Sequence, residues 1–460
     1  MNPLDPLDAA MMTAELLFNP LHVGAVLILS APKDAGRDYV DQLHRGALTA
    51  DDPVDSRLRR YPHRGVETGG IWVWRQTEIL DMKQHCQRRT ASGGRDGLWQ
   101  LIGELHAQPL DRSRPMWMSY LIDGFDSGHF AFFVKIHHSV VDGVAGFRMI
   151  ADALTTDPTR RSIPPFYADR QPKSAVSRTR RGPNLVGTVK SGIGLIERVV
   201  TGEVSNLVEG LAGRTTVLPF GAPYTRFNGR LGPERVVAAD SWPKDRIKAI
   251  QTATGVTGND VVTTAIAGAL RCWLLGRGEL PEKSLVAICP ITVRGDDVAA
   301  ADGLHGNRFG AWLCPLGTNL ADPVARLDLI HRSMADGKHW VSKRGSAASL
   351  LTVAASMAAT VLPPLLPIAP KVGTGYNVPI SHLRGPESQM YWNGAHLEEI
   401  YPVSAVYDGQ ALNVTTCSYA RRIGFGYVAG RDTVPDVAAL TALTEKALTE
   451  LESAVGARQA

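Results

Sequence analysis

The sequence lacks a strong excess of charge of either sign. Its 460 residues include 49 Lys and Arg against 45 Asp and Glu, which leaves a formal charge of +4. Over a chain of this length that charge is too dilute to indicate nucleic-acid binding, and we expect no nucleic-acid partner. Hydrophobic residues make up 44% and charged residues 20%. This composition excludes a wholly disordered chain, a collagen and a coiled coil, and it is typical of a packed globular protein.

Cysteine is scarce, and no Cys-x-x-Cys pair occurs. The five cysteines are far apart in the sequence: Cys86, Cys272, Cys289, Cys314 and Cys417. This spacing argues against both a disulfide framework and a zinc ribbon. Acidic residues also interrupt the first positions, where a secretory signal would need a basic segment and an apolar core. We therefore expect a protein of the reducing cytoplasm.

Long hydrophobic runs and common nucleotide-binding motifs are missing as well. The most apolar stretch, residues 346–370, carries no charge, but four prolines crowd its second half. Prolines break helices, so too little helix remains to cross a bilayer, and we predict a buried or interfacial helix instead. No Gly-x-Ser-x-Gly elbow, Walker A loop or Gly-x-Gly-x-x-Gly fingerprint occurs, and we expect Gly424, Gly426 and Gly430 to serve a turn.

Alternating strand-like and helical periods predict an α/β fold. In the first half we expect a strand over 129–136 and a helix over 143–154, and Asn259 is a candidate N-cap for a helix in the second half. The strands predicted in the second half cover residues 235–240, 285–288 and 412–419, and the helices cover 243–254, 258–275, 322–345 and 434–455.

A Pro- and Arg-rich stretch separates two halves of the chain. We predict an N-terminal lobe over 1–158, a basic linker over 159–220 and a C-terminal lobe over 221–460. Inside the linker, apolar residues recur at three- and four-residue intervals: Leu185, Val189, Ile193, Ile196 and Val200. They predict a short amphipathic helix, which either packs on its own domain or lies on a membrane or lipid-droplet surface.

The most informative segment is HHSVVDG, residues 137–143, which lies between the predicted strand and helix. Side chains alternate along a strand, so the two adjacent histidines face different ways and one of them can reach a cleft. Histidine acts as a general base near neutral pH. From the residues alone two other interpretations stay open. One is a buried histidine pair beside a turn, and the other is a metal site, for which no third ligand stands at a diagnostic spacing.

The motif and its surroundings resemble the bacterial wax ester synthase and acyl-CoA:diacylglycerol acyltransferase family, within the superfamily that carries the HHxxxDG motif. Matching segments follow in order along nearly the whole chain: PLDAAMMTAE (6–15), HVG (22–24), PMW (115–117), FNG (227–229), GND (258–260), GALR (268–271), PITVR (290–294), GNRFG (306–310), NVP (377–379), NGAHL (393–397), YPVS (401–404) and SY (418–419). One departure bears on acceptor or acyl-chain preference. Residues 380–384 (ISHLR) stand before Gly385 and Pro386, where the family runs directly from NVP into Gly-Pro.

The resemblance implies a two-lobed, CoA-dependent acyltransferase fold, with lobes like those of chloramphenicol acetyltransferase and a central cleft. It implies direct transfer of an acyl group from acyl-CoA to a lipid alcohol, diacylglycerol or a fatty alcohol, with no cofactor and no metal. His138 would be the general base and His137 a supporting residue. Asp142 would shape the loop, and Arg294 is our candidate for its partner.

Two further residues complete the predicted site. Gly143 is expected to allow a close backbone approach or a positive φ at the helix entry. The oxyanion of the tetrahedral intermediate needs donors, and the candidates are the Asn259 side chain and backbone N–H groups near Gly143. The region 350–366 is a candidate lining for an acyl groove, although core packing there is also expected.

Two alternatives to this function remain from the sequence. One is an enzyme of the same fold that uses a carrier-protein donor or a different acceptor. The other is a lipid-surface protein that keeps the fold without turnover. In each case, we expect peripheral association with a membrane or a lipid droplet, because no membrane span is predicted and lipid acceptors reside in such phases.

Overall fold

The computed structural model describes residues 2–17, 19–141, 143–170, 221–292, 309–361 and 373–456. Helices and strands alternate in the α/β arrangement that the sequence predicts. The helices are α1 (Pro6–Leu17), α2 (Tyr39–Thr49), α3 (Met82–His85), α4 (Gly94–Ala107), α5 (Gly143–Ala151), α6 (Lys244–Thr254), α7 (Gly258–Leu275), α8 (Pro323–Val361) and α9 (Ala439–Ala454). The strands are β1 (Asn2–Pro3), β2 (His22–Ser30), β3 (Arg60–His63), β4 (Val73–Gln76), β5 (Cys86–Thr90), β6 (Trp117–Asp123), β7 (His129–His137), β8 (Arg235–Pro243), β9 (Val286–Thr292), β10 (Phe309–Pro315), β11 (Val378–Arg384), β12 (Tyr391–Trp392), β13 (Ala395–Val403), β14 (Leu412–Tyr419) and β15 (Arg422–Gly430).

The N-terminal lobe is built on a six-stranded sheet in the order β12-β13-β2-β7-β6-β5. Strand β7 lies inside this sheet, and all its residues except His129 are buried. From Phe130 to Val134 its side chains are apolar on both faces, because each face is covered. Phe130 and Phe132 pack in the core beneath α2 and α5, whereas Ala131 and Phe133 pack in a second core that also contains α4. A small sheet, β1-β4-β3, lies beside it in the chain's N-terminal part.

The C-terminal lobe is built on a second six-stranded sheet in the order β10-β9-β11-β14-β15-β8. Helices α7, α8 and α9 pack together in its core. Helix α7 starts after Thr257, whose side chain accepts from the backbone N–H of Asp260 over 3.4 Å. The Asp260 carboxylate in turn accepts from the Thr257 backbone N–H over 2.9 Å, which completes a capping box. The prediction of Asn259 as N-cap is therefore wrong, since Asn259 lies within the first turn.

Two strands cross from the second half of the chain into the N-terminal sheet. Strand β13 pairs antiparallel with β2, from His396 opposite Ser30 to Val403 opposite Gly24. Strand β12 extends the same sheet by pairing with β13. The predicted assignment of all residues after 221 to the C-terminal lobe is therefore wrong for β12 and β13, because these two strands complete the N-terminal sheet.

The packed part of the N-terminal lobe also continues past the predicted boundary at residue 158. Phe166 and Tyr167 are buried, and both rings contact Trp117 at centroid distances of 5.4 and 5.6 Å. The segment up to residue 170 therefore belongs to the core of this lobe and not to a linker. The rest of the predicted linker, with its amphipathic helix, lies outside the described residues.

Strand β15 passes very close to β13 where the two sheets meet. A Cβ atom at Gly426 would lie 1.9 Å from the Pro402 carbonyl oxygen, and one at Gly424 would lie 2.2 Å from that of Ile400. Only glycine permits this approach, so the expectation that these glycines serve a turn is wrong. Val26 and Tyr401 of the first sheet share a core with Val428 of the second, which joins the lobes.

The apolar and inserted segments form regular elements. Helix α8 runs beyond the predicted end at residue 345 and takes up the first part of the apolar stretch, as far as Val361. No helix in the described ranges is long and apolar enough to span a bilayer. Residues 380–384 extend β11, where they pair in parallel with 414–418 of β14.

Candidate active site at the adjacent histidines

The two adjacent histidines stand at the end of β7 and differ in accessibility. His137 is the last residue of the strand and is 0% exposed, whereas His138 begins the loop and is partly accessible. The loop leads directly into α5 at Gly143. A strand and a helix therefore fix both ends of the segment that carries His138, while its side chain retains access to the surroundings.

The ring of His137 is held in one orientation by its neighbours. The backbone N–H of Ser139 donates to Nδ1 over 3.2 Å, and the Ser139 hydroxyl lies 2.7 Å from the same nitrogen. Because Nδ1 accepts, the ring proton resides on Nε2. That nitrogen lies 3.3 Å from Oε2 of Glu15, a carboxylate on α1. His137 is thus a buried anchor between the loop and α1.

Glu15 connects the segment that carries both histidines to helix α1. Its Oε1 accepts from the backbone N–H of Leu21 over 3.3 Å, and its Oε2 lies 3.1 Å from Nη2 of Arg112. The Leu21 carbonyl accepts from the backbone N–H of His138 over 3.0 Å. One carboxylate therefore contacts the side chain of His137 directly and the backbone of His138 through Leu21.

The environment of Glu15 keeps this group charged. Burial alone would raise its pKa, but the hydrogen bond from His137 and the positive charge of Arg112 outweigh burial, and the pKa is lowered. Glu15 ends the segment 6–15 that resembles the family start, so the sequence contained a signal for it. Arg112 had no such signal, since the contact joins positions 97 residues apart.

The Pro115–Trp117 element supports the first histidine. The backbone N–H of His137 donates to the Met116 carbonyl over 2.9 Å. Trp117 is fully buried, and its indole N–H donates to the Leu58 carbonyl over 2.9 Å. This part of the family pattern therefore holds the end of β7 in place by packing.

A group of buried basic side chains lies beside His137 in the sheet. Lys135, two residues earlier on β7, donates to the carbonyls of Leu105 and Gln108 over 2.6 and 2.7 Å, at the end of α4. Burial lowers the pKa of Lys135 to about 8. Burial likewise lowers the pKa of His106 to about 3, with a further contribution from the charge of Lys135. His106 is therefore neutral at neutral pH.

The remaining predicted residues have different outcomes. Asp142 and Arg294 lie outside the described residues, and their pairing stays a prediction. Gly143 has no positive φ, so that part of the expectation is wrong. No atom of the described residues lies within 4 Å of the position that a Cβ atom would take there, and the expected close approach to the backbone stays a prediction. Asn259 is exposed in the first turn of α7, and its role as an oxyanion donor stays a prediction.

Within the described ranges, no group of three or more His, Cys, Asp or Glu side chains is placed to hold a metal ion. The five cysteines are all free thiols. The described site offers acid–base chemistry by an imidazole and hydrogen bonding by backbone groups.

Comparison with solved structures defines the fold class. The first condensation domain of the calcium-dependent antibiotic synthetase superposes with a TM-score of 0.58 over 99% of this chain and 96% of that one, at 14% identity. The wax ester synthase/diacylglycerol acyltransferase from Marinobacter aquaeolei VT8 superposes with a TM-score of 0.79 at 30% identity, covering 99% and 100% of the two chains. The fold is the two-lobed acyltransferase fold.

Sequence comparison defines the family. The family model of the wax ester synthase/diacylglycerol acyltransferase catalytic domain matches residues 4–262, and that of the family's C-terminal domain matches 305–452. A putative diacylglycerol O-acyltransferase of Mycobacterium tuberculosis is 37% identical over 98% of this chain and 100% of its own. A probable diacylglycerol O-acyltransferase of the same species is 32% identical over 99% and 100%. The chain belongs to the wax ester synthase/diacylglycerol acyltransferase family.

Proposed function

We propose that this protein is an O-acyltransferase that transfers a long-chain acyl group from acyl-CoA to a lipid alcohol, mainly to diacylglycerol to give triacylglycerol, and also to fatty alcohols to give wax esters. The similarity to diacylglycerol O-acyltransferases over the full chain supports this activity. The observation that carries it is the contrast between the histidines. His137 is buried against Glu15, which leaves the accessible His138 as the base.

The chemistry requires one imidazole and no covalent acyl-enzyme. His138 takes the proton of the acceptor hydroxyl while the oxygen attacks the thioester carbonyl and the new C–O bond forms. The intermediate then collapses, the C–S bond breaks, and the imidazolium returns the proton to the CoA thiolate. The base is regenerated, acyl-CoA is consumed as a substrate, and the reaction needs no cofactor.

The oxyanion of the intermediate is stabilised by hydrogen-bond donors near the loop. Gly143 begins α5, and the start of a helix carries a partial positive charge that suits a developing negative charge. No atom of the described residues lies within 4 Å of the Cβ position at Gly143, which supports an approach of the intermediate to its backbone. The Asn259 side chain is the second candidate, contributed by the C-terminal lobe.

The function also includes peripheral contact with a membrane or a lipid droplet, where the acceptors reside. The turn between β3 and β4 supports this contact. Val66 in this turn is 98% exposed and Ile71 is 47% exposed. The guanidinium of Arg64 lies 5.8 Å from the ring centre of Trp72 in the same turn. Apolar tips beside a cation are the combination that attracts a protein to an anionic lipid surface.

The activity is tested with purified protein and palmitoyl-CoA, offered in parallel with diacylglycerol, hexadecanol and water. We expect triacylglycerol and wax ester with little free palmitate, and loss of both products in the His138→Ala variant. A parallel reaction with palmitoyl carrier protein tests the donor. Transfer from the carrier alone, or lipid binding without any product, contradicts the proposed function.

The membrane contact is tested by sedimentation with vesicles of phosphatidylglycerol and phosphatidylcholine. Val66→Asp introduces a charge at the turn and is expected to reduce sedimentation. The variant Arg178→Gln/Arg180→Gln/Arg181→Gln tests the predicted basic linker in the same assay. If neither variant sediments less than wild type at low salt, the proposed contact through these segments is wrong.

A further inference from the structure

A largely apolar pocket lies on the α5 side of the N-terminal sheet. It opens to solvent, and the unfilled space in the pocket and its open mouth together is about 500 Å³. Its walls include Phe132 of β7, Trp392 of β12, Phe166, Ile150 near the end of α5, and Ala153 in the turn that follows the helix. Residues from the sheet, from α5 and from the crossing strand β12 therefore surround one space.

The polar side chains that line the pocket are engaged with the protein itself. Four of these are hydrogen-bonded to backbone carbonyl oxygens of the protein itself: His44, Gln87, Ser119 and Tyr167. The rest of the wall is mainly aliphatic and aromatic. A ligand that gains from entering such a space is apolar, because a polar ligand would lose its hydrogen bonds to water without replacement.

Both elements that hold the loop of His138 lead to this pocket. Helix α5 begins at the end of the loop and ends at Ala151, eight residues and about 12 Å further along its axis, and Ala153 follows in the next turn. On β7, Phe132 precedes His138 by six residues, about 20 Å along the strand. Phe132 and Ile136 pack in the same core as α5, and His138 follows Ile136 with the alternation of the strand.

These distances match the reach of a lipid chain. The hydrocarbon core of a bilayer is about 30 Å thick and contains two layers of chains, so one chain reaches about 15 Å. We propose that the pocket receives the methyl end of a long alkyl chain whose reacting carbonyl or hydroxyl group lies at His138. The inference rests on the proposed function and names the chain-binding part of its site. It differs from the expected groove at 350–366.

The test fills the pocket from α5. Ala153→Leu adds three carbons to the wall and should lower the ratio of rates with palmitoyl-CoA and octanoyl-CoA, at constant diacylglycerol, by about tenfold. Trp392→Leu removes volume and should raise the ratio. Ala151→Leu is the matched control, because Ala151 ends α5 without lining the pocket, and its ratio should equal that of wild type. Each ratio is measured within one preparation, so a difference in folded fraction cancels.

A second arm distinguishes the two sources of an alkyl chain. Palmitoyl-CoA is held constant while octanol and hexadecanol are compared as acceptors. If Ala153→Leu changes the ratio of rates with palmitoyl-CoA and octanoyl-CoA, the acyl chain lies in the pocket. If it changes the ratio of rates with hexadecanol and octanol, the alcohol chain lies there. If neither ratio changes in Ala153→Leu and Trp392→Leu while wild type remains active, the pocket proposal is overturned and the proposed function stands.

A binding measurement keeps the proposal independent of turnover. A fatty acid brominated near its methyl end should quench the tryptophan fluorescence of wild type, since Trp392 lines the pocket. Quenching should be at least about tenfold weaker at equal ligand concentration in Ala153→Leu and unchanged in Ala151→Leu. Equal quenching in all three proteins contradicts the pocket proposal. Quenching without acyl transfer by wild type contradicts only the proposed function.

Discussion

Each lobe contains a histidine beside a buried carboxylate, and the two pairs have different uses. In the N-terminal lobe, Nε2 of His137 lies 3.3 Å from Glu15, and both side chains are almost fully buried. In the C-terminal lobe, Nδ1 of His331 lies 2.8 Å from Asp260, and the His331 side chain is 42% exposed. The second pair has the shorter distance, so distance alone does not favour the pair on which the proposed function rests.

The difference lies in what each carboxylate holds. Glu15 binds Leu21, whose carbonyl binds His138, so the first pair positions an accessible imidazole. Asp260 binds the backbone of Thr257, so the second pair starts helix α7. A histidine–carboxylate pair therefore does not identify an active site by itself. The connection to a second, accessible histidine is what distinguishes the first pair.

The largest expected difference between the two histidine–carboxylate pairs is in the rate of acyl transfer after substitution. His138→Ala should lower acyl transfer by roughly 10² to 10⁴-fold, the usual range for loss of a general base. His137→Ala should lower it less, and His331→Ala should leave it within about twofold of wild type, as for a surface change away from the site. Initial rates with palmitoyl-CoA and diacylglycerol measure this, with circular dichroism to establish folding. Equal rates for His138→Ala and wild type would remove His138 from the mechanism.

The next effect concerns the carboxylate of the first pair. Glu15→Ala leaves His137 and Arg112 without their acceptor, and breaking a buried charged contact costs about 3 kcal/mol in the free energy of unfolding. Activity should fall with it, because Leu21 and the loop lose their anchor. Glu15→Gln keeps an oxygen for the Leu21 N–H and should be milder. Denaturant unfolding beside rate measurements checks this, and lost activity at unchanged stability would make Glu15 a direct participant.

The two lobes should also differ in their response to acid. His382 on β11 lies between the hydroxyls of Thr263 and Thr416, at 3.1 and 2.8 Å. Burial lowers its pKa from 6.5 to about 4, against a smaller opposing effect of the Asp260 charge. Between these pH values the His382 imidazole binds a proton in the unfolded chain but not in the folded protein. The free energy of unfolding therefore falls as the pH falls.

His382→Gln should remove this part of the acid sensitivity, on the order of 2 kcal/mol between pH 6.5 and pH 4. Glu15 acts in a lower window. Its pKa is lowered from 4.5, so its contribution is full above 4.5 and is lost as the pH falls through the folded value. Melting temperatures of wild type and His382→Gln across this range are the measurement. Parallel curves would show that His382 titrates alike in both states.

Local patterns in the sequence were sufficient to predict many of the helices and strands. Helix 258–275 and strand 412–419 are observed with the predicted bounds, because periodicity and turn residues determine such elements within a few neighbours. The position of His137 and His138 at a strand end followed from the same patterns. The pairing of β13 with β2 could not be predicted in this way, since it joins residues more than 360 positions apart and depends on the whole fold.

The site was predictable in part for the same reason. The motif predicted that His138 stands at a strand end, but the anchor formed by Glu15 and Arg112 depends on where α1 lies against the segment that follows α4. Such contacts between distant segments leave no periodic pattern in the sequence. The volume of the pocket near Ala153 likewise depends on the ring positions of Phe132 and Trp392, which are 260 positions apart.

The smallest expected effect concerns the start of α7, where the sequence predicted Asn259 as the N-cap and the structure has Thr257. The reciprocal hydrogen bonds between Thr257 and Asp260 establish this cap. Thr257→Ala should therefore lower the free energy of unfolding by about 1 kcal/mol. Asn259→Ala should change it by less than about 0.5 kcal/mol, because the side chain is exposed and caps nothing. Denaturant unfolding of the two variants is compared with their rates of transfer. If Asn259→Ala is slow at wild-type stability, the predicted oxyanion role gains support, whereas an Asn259→Ala variant less stable than Thr257→Ala would contradict the observed cap.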